Sequence, residues 1–267
     1  MCFQRIFTIV LRQIYLIRGS FSRVFPLFAW IGVDMILWGF LTKYLNNVTR
    51  VDFNFVPALL GAVLLWDFFG RIMQGVTIAF FEDVWSRNFL NIFATPLLIS
   101  EYVSGLILTS ILTSLVGLII MFVIAATFFH LSFFAYGLLI VPFLLVLFLF
   151  GISLGIFGSA IVLRLGPASE WFIWPIPAII SPFAGVLYPV STLPGWMQAI
   201  AKILPPSYIF EGLRAAIRGE PVSGLSLFLA AILTLVFIFL AYRLFTMIYR
   251  NALKSGLIAR YSAESVS

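Results

Sequence analysis

The chain has 267 residues, of which 63% are hydrophobic, 17% aromatic and 10% charged. A soluble globular domain carries about 25% charged residues, so the composition excludes that class and indicates a membrane protein. The net charge of +6 comes from Lys and Arg scattered singly at the ends of apolar runs, a mark of membrane topology and not of a nucleic-acid-binding patch. One cysteine, Cys2, excludes an intramolecular disulfide.

Residues 1–20 come first. Phe3, Ile6, Phe7, Val10, Leu11 and Ile14 recur at helical intervals, while Arg5, Arg12 and Gln13 point elsewhere. This pattern predicts a short amphipathic helix lying in the headgroup plane. It serves as a contact for a partner or as a plain basic anchor. The first long apolar run, 24–43, lacks a small-residue cleavage site after a short core, so it reads as a retained span. Asp34 falls near its middle and should face the bundle interior. In the second span, 57–81, Asp67, Arg71 and Gln74 stand at i, i+4 and i+7 and share one helix face. Acid before base at that spacing is the favourable order. Together Asp34, Asp67, Arg71 and Gln74 make an intramembrane polar cluster. It either staples two helices or belongs to a transport path, because ionisable groups at that depth are functional candidates by default.

Residues 82–95 open on Glu82 and Asp83 and are stopped by Pro96. They are amphipathic but too short and polar to cross a bilayer, which predicts a helix along the cytoplasmic surface. A third span over 102–129 and a turn at 130–136 lead into a fourth span, 137–163. His130 is the only histidine, so no histidine metal cluster exists. Gly151, Ser153 and Gly155 match the hydrolase elbow Gly-x-Ser-x-Gly, yet they lie in an apolar helix without the strand-turn-helix context. Gly151, Gly155 and Ser159 read instead as a small-residue strip for close helix packing. The fifth span, 171–188, contains Pro175, Pro177 and Pro182 and should be kinked or broken. The sixth, 224–242, precedes Arg243, Arg250, Lys254 and Arg260. Ten of the 16 Lys and Arg then fall in inside segments, five outside, with Arg71 in span two. This bias puts both chain ends in the cytoplasm.

Residues 181–221 are interrupted by Pro182, Pro189, Pro194, Pro205 and Pro206. Within them 193–204 has helical apolar spacing at Trp196, Met197, Ile200, Ile203 and Leu204. Such a segment reaches only about 18 Å, against a hydrocarbon core of about 30 Å. It predicts a re-entrant hairpin over 193–218, or else a surface loop carrying one amphipathic helix. The series Phe183, Gly185, Tyr188, Pro189, Pro194, Trp196, Pro205, Pro206, Glu211 and Arg214 resembles the end of the membrane subunit of ABC type-2 exporters. The similarity extends over nearly the whole chain in span number and loop placement.

The resemblance implies an all-α integral membrane protein with six transmembrane helices in one domain. It adds an N-terminal interface helix, a coupling helix between spans two and three, and a re-entrant hairpin between spans five and six. It also implies a home in the bacterial cytoplasmic membrane, among membrane lipids and without nucleic acid. The phosphate-cradling Gly-x-x-x-x-Gly-Lys motif is missing. ATP and Mg would therefore be held by a separate ABC ATPase subunit, and this chain would be neither an enzyme nor a cofactor carrier. Two permease copies, most simply a homodimer, would complete the assembly. Glu82, Asp83, Val84, Trp85, Arg87, Asn88 and Phe89 occupy the position of the coupling helix that docks on the ATPase. Pro189, Pro194, Trp196, Pro205, Glu211 and Arg214 would form the extracytoplasmic gate. The cargo class implied is a lipid-linked glycan, polysaccharide or other amphiphile, with drug or antibiotic efflux as the alternative. Two readings of other kinds stand beside it: a lipid-modifying enzyme centred on Glu211, Arg214, Arg218 and Glu220, and an ion-driven carrier using Asp34, Asp67 and Arg71.

Overall fold

A computed structural model describes residues 2–48, 56–86, 88, 91–92, 94–131, 133–166 and 169–256. Among them every regular element is helical and no strand occurs. Helix α1 (Phe3–Arg18) lies outside the bundle and ends at Gly19. The long helices are α2 (Phe21–Val48), α3 (Gly61–Trp85), α4 (Ile99–Phe129), α5 (Ile140–Leu165) and α10 (Gly224–Lys254). A π-helical turn, Val56–Leu60, leads into α3. Between α5 and α10 come the short helices α6 (Glu170–Ile173), α7 (Ile176–Ala184), α8 (Gly195–Ala201) and α9 (Pro205–Ile217).

Among the described residues, five helical stretches are long and apolar enough to cross a membrane. The expected fifth span, 171–188, is not one of them. Its apolar part, Trp171–Ala184, is divided by Pro175 into α6 and α7, and 14 residues of helix reach only about 21 Å. Proline removes a backbone donor and clashes with the preceding turn, while Gly185 at φ 63° ends α7 in the left-handed region.

Helix α3 is the axis of the bundle. Of the apolar run within Val56–Val84, the stretch that contains most of it, 61% is buried, against 22% for that of α2 and 17% for that of α10, so lipid or another chain must cover the peripheral pair. The α3 core residues Leu64, Phe69, Ile72, Met73 and Phe80 are fully enclosed. Phe69 stacks on Phe150 of α5 at 5.5 Å, and Phe150 meets Phe237 of α10 edge-on at 5.2 Å. The small-residue strip of α5 is the seam with α3. A Cβ at Gly151 would lie 3.0 Å from the Phe69 carbonyl oxygen, and one at Gly155 would lie 3.0 Å from that of Met73. The Thr77 hydroxyl donates to the Gly155 carbonyl at 3.1 Å across this seam.

Candidate functional site

Three groups of polar residues are placed by this scaffold, one at each end of the bundle and one between. At the end where α1 lies, the buried face of α1 (Ile9, Val10, Gln13) rests on the start of α4. Ile9 fits over Gly105, where any Cβ would come within 2.6 Å of it. Arg12 grips both carboxylate oxygens of Asp83, with Nη1 2.8 Å from Oδ2. The Tyr102 hydroxyl donates to the same Oδ2 at 2.6 Å. Asp83 is buried, so its charge is stabilised by donors from two other helices. These bonds hold the Arg12 guanidinium above its ordinary value, against the opposing effect of burial.

A second tie lies at the other end of the α3–α4 connection. Arg5 donates to the Pro96 carbonyl and stands 3.5 Å from Glu101. Glu101 accepts the backbone N–H groups of Cys2 at 2.6 Å and Leu98 at 3.1 Å. Helix α1 is therefore fastened to the last turn of α3 and to the first turn of α4. Ring contacts of Phe80 with Tyr102 and with Phe245 bring α10 into the same junction. Through Arg12–Asp83 and Arg5–Glu101, α1 bridges the two ends of the α3–α4 connection.

Deeper in α3, Arg71 Nε and Nη2 donate to Asp67 Oδ2 at 2.9 and 2.8 Å. Asp34 of α2 stands within electrostatic range of both. The stem of Arg71 passes Gly117 of α4, where a Cβ would lie 3.4 Å from Arg71 Cδ. Gln74 lines a different surface. With Thr77, Ile78 and Phe81 it lines a small groove closed by Ile173 and Trp174. Arg71→Leu should lower stability by about 1–3 kcal/mol, because it takes from the half-buried Asp67 both hydrogen bonds of the ion pair. Thermal unfolding in detergent measures this, and Asp67→Asn in the same background should restore most of the loss. A stable Arg71→Leu protein that no longer transports would instead assign the pair to the transport path.

At the opposite end, α7 to α9 form a tight turn-and-hairpin unit. Pro189 sets the extended backbone before a single turn, Val190–Thr192. Pro194 caps α8, its carbonyl accepting from Met197 and Gln198. Pro205 takes the first position of α9, where its missing N–H is not needed. Glu211 accepts the Val190 N–H at 2.6 Å and Arg214 Nη2 at 3.0 Å, while Arg214 Nη1 reaches the Val186 carbonyl at 3.4 Å. A Cβ at Gly185 would press on the Tyr188 carbonyl at 3.0 Å, which adds to the positive-φ requirement there. Trp196 is exposed and meets Phe183 edge-on at 6.1 Å. Arg218 and Glu220 pair separately at the surface, 3.1 Å apart. Glu211→Gln should cost about 1–2 kcal/mol, since the amide still accepts from Val190 but no longer neutralises Arg214. Limited proteolysis of 185–195 should report the loosened turn.

A family profile described as ABC-2 type transporter matches residues 4–217. The chain belongs to the ABC-2 type transporter family. Nodulation protein J of Rhizobium meliloti (strain 1021) is 31% identical to it over 77 residues, 28% of this chain and 29% of that protein. The alignment thus spans under a third of the relative's length. The ABC-2 type transporter match takes in α1, the Asp83 junction, the Asp67–Arg71 pair and the hairpin through α9, whereas α10 lies beyond it.

Within this ABC-2 type transporter the expected coupling residues divide. The helix expected to begin at Glu82 does not begin there, because α3 continues through Glu82, Asp83, Val84 and Trp85 and turns at Ser86. Neither proline nor glycine occurs from Val76 through Trp85, and Arg12 and Tyr102 hold Asp83 in the last turn of α3. Asp83 and Val84 are buried and Glu82 is half-buried. Arg87, Phe89 and the side chain of Trp85 lie outside the described residues. Asn88 is half-buried, and its carbonyl accepts the Ile92 N–H at 3.0 Å. Sequence reasoning missed Arg5, Arg12, Glu101 and Tyr102 as members of the junction. The one available signal was charge complementarity between α1 and the ends of α3 and α4. No spacing rule links residues 71 positions apart. Among the described residues no group of His, Cys, Asp or Glu is arranged to hold a metal ion.

Proposed function

We propose that the chain is the permease subunit of an ATP-driven exporter, forming with a second copy the path for a lipid-linked glycan, polysaccharide or comparable amphiphile. Two cytoplasmic ABC ATPase subunits would bind ATP and Mg and supply the work. The observation that carries this reading is the double fastening of α1 across the α3–α4 connection, within a chain of a transporter family. ATP-driven closure of the ATPase pair would push on residues 86–97, and the Arg12–Asp83 and Arg5–Glu101 ties would make α1 move with them. A ligand shifts such an equilibrium only by its differential affinity for the two states.

On this reading both chain ends are cytoplasmic and the Pro189–Glu211 turn unit is the outer gate. The α6–α7 passage would complete the sixth crossing in company with the hairpin. The outermost docking surface is formed by Glu82, Asn88 and the residues around them, with Asp83 holding that surface in place from inside. The test is to purify the tagged chain from its own host membrane in mild detergent and identify what accompanies it. An ATPase with the phosphate-loop motif, in equal ratio to this chain, is expected. Cargo class follows from mass spectrometry of bound material, glycolipid for the favoured reading and small amphiphilic drugs for the alternative. Transport by the purified chain alone would overturn the proposal.

A further inference from the structure

Helix α10 has 31 residues, about 46 Å of helix against a hydrocarbon core of about 30 Å. One of its faces is unpartnered along its full length. Phe228, Ile232, Leu235, Val236 and Phe239 are exposed there. Continued past Phe239 at helical spacing, the same face presents Arg243, Met247, Arg250 and Lys254, all exposed. Arg243 stands about 28 Å along the axis from Gly224, and Arg250 about 39 Å. The face thus changes from apolar to basic at the distance where hydrocarbon gives way to headgroups. Arg243 also lies over the Phe239 ring at 5.9 Å, spanning that boundary. No acidic residue occurs in α10. Among the described residues Arg243, Arg250 and Lys254 take part in no ion pair. The opposite face of the same segment is occupied, with Phe245 and Ala252 buried against the bundle.

We propose that this basic foot of α10 is a binding site for anionic phospholipid headgroups, whose phosphate oxygens accept hydrogen bonds from Arg243 and Arg250 while Lys254 adds charge at the water side. A lipid occupant accounts for both halves of the face at once, tails along the apolar half and headgroups along the basic one. An acidic protein surface would account only for the second. The site rests on the reading that this end of the bundle is cytoplasmic, where anionic lipid gives the surface its negative potential.

The test reconstitutes the full chain into vesicles of phosphatidylcholine alone or of phosphatidylcholine with phosphatidylglycerol. Lipid retained after re-extraction is then measured by native mass spectrometry. Wild-type protein should retain phosphatidylglycerol in preference to phosphatidylcholine. That preference should fall about fivefold for each charge removed in the Arg243→Gln, Arg250→Gln and Lys254→Gln series. The charge-keeping pair Arg243→Lys and Arg250→Lys should retain most of it and checks that the helix still folds. A wild-type preference in the triple Gln variant overturns the site. So does a triple variant that keeps its lipid but loses its ATPase, which would make the foot a protein-docking surface. Lipid retention needs neither ATP nor cargo, so failure of the export reading leaves this measurement interpretable.

Discussion

Asp83→Ala should be among the most damaging single substitutions in the protein, lowering stability by about 3 kcal/mol, and on the proposed export function it should also uncouple ATP hydrolysis from transport. Two losses combine. The Tyr102 hydroxyl is almost wholly buried and would lose its acceptor, at about 1–3 kcal/mol. Arg12 would lose its carboxylate, but its side chain is 26% exposed and can turn to water. Its share therefore stays below the 3–5 kcal/mol of a fully buried pair. Asp83→Asn keeps an acceptor for Tyr102 and should cost roughly half as much. A double-mutant cycle with Arg12→Gln, read by thermal unfolding in detergent, should give a coupling energy of about 1–3 kcal/mol. Additive effects would show that the tie between α1 and α3 carries no energy. With the tie confirmed, and on the proposed export function, Arg12→Gln should also raise ATP hydrolysed per cargo moved, because the connection would then move without α1.

Gly155→Leu should abolish recovery of monodisperse protein, and Gly155→Ala should cost about 1–3 kcal/mol. A Cβ at this position would sit 2.8 Å from Val76 Cβ and 3.0 Å from the Met73 carbonyl oxygen. The second neighbour is helix backbone, which cannot rotate aside as a side chain does. Relief would come only from parting α3 and α5, losing the Thr77 bond to the Gly155 carbonyl and the Phe69–Phe150 stack farther along the seam. An interhelical hydrogen bond in a membrane contributes only about 0.6 kcal/mol, so packing and not the bond dominates the loss. Gly70→Ala is the matching control: no atom beyond its own chain neighbours and local helix backbone lies within 4 Å of its Cβ position, and alanine there should be neutral or slightly stabilising. If fluorescence-detected size exclusion showed Gly155→Leu and Gly70→Ala behaving alike, the close seam would not exist in the membrane.

Local features were readable in the sequence because their partners are local. Asp67 and Arg71 pair at i, i+4, as helix geometry requires. The strip of Gly151, Gly155 and Ser159 is periodic, and the structure lays its glycines against α3. Prolines 175 and 177 announced a break in 171–188, and α6 and α7 meet there. Other features were hidden for an equally plain reason. Arg243 marks the expected end of a span by charge, but charge does not end a helix. Neither proline nor glycine follows until Gly256, and α10 runs on to Lys254. Charge at residue 82 likewise suggested a new helix, whereas α3 simply continues to Trp85.

Composition and hydropathy by themselves determined that this is a helical membrane protein, since neither helix length nor apolar content depends on which helix touches which. The motif order along 181–221 was enough to place the chain among ABC-2 type transporters. Only the tertiary structure decided that Asp83 faces inward to Arg12 and Tyr102, that Glu101 gathers the start of α1, and that Glu211 holds the Val190 turn. A carboxylate at the end of a helix is compatible with water, a partner protein or a distant arginine. The choice among them is made by the three-dimensional approach of segments tens of residues apart, which no local periodicity records.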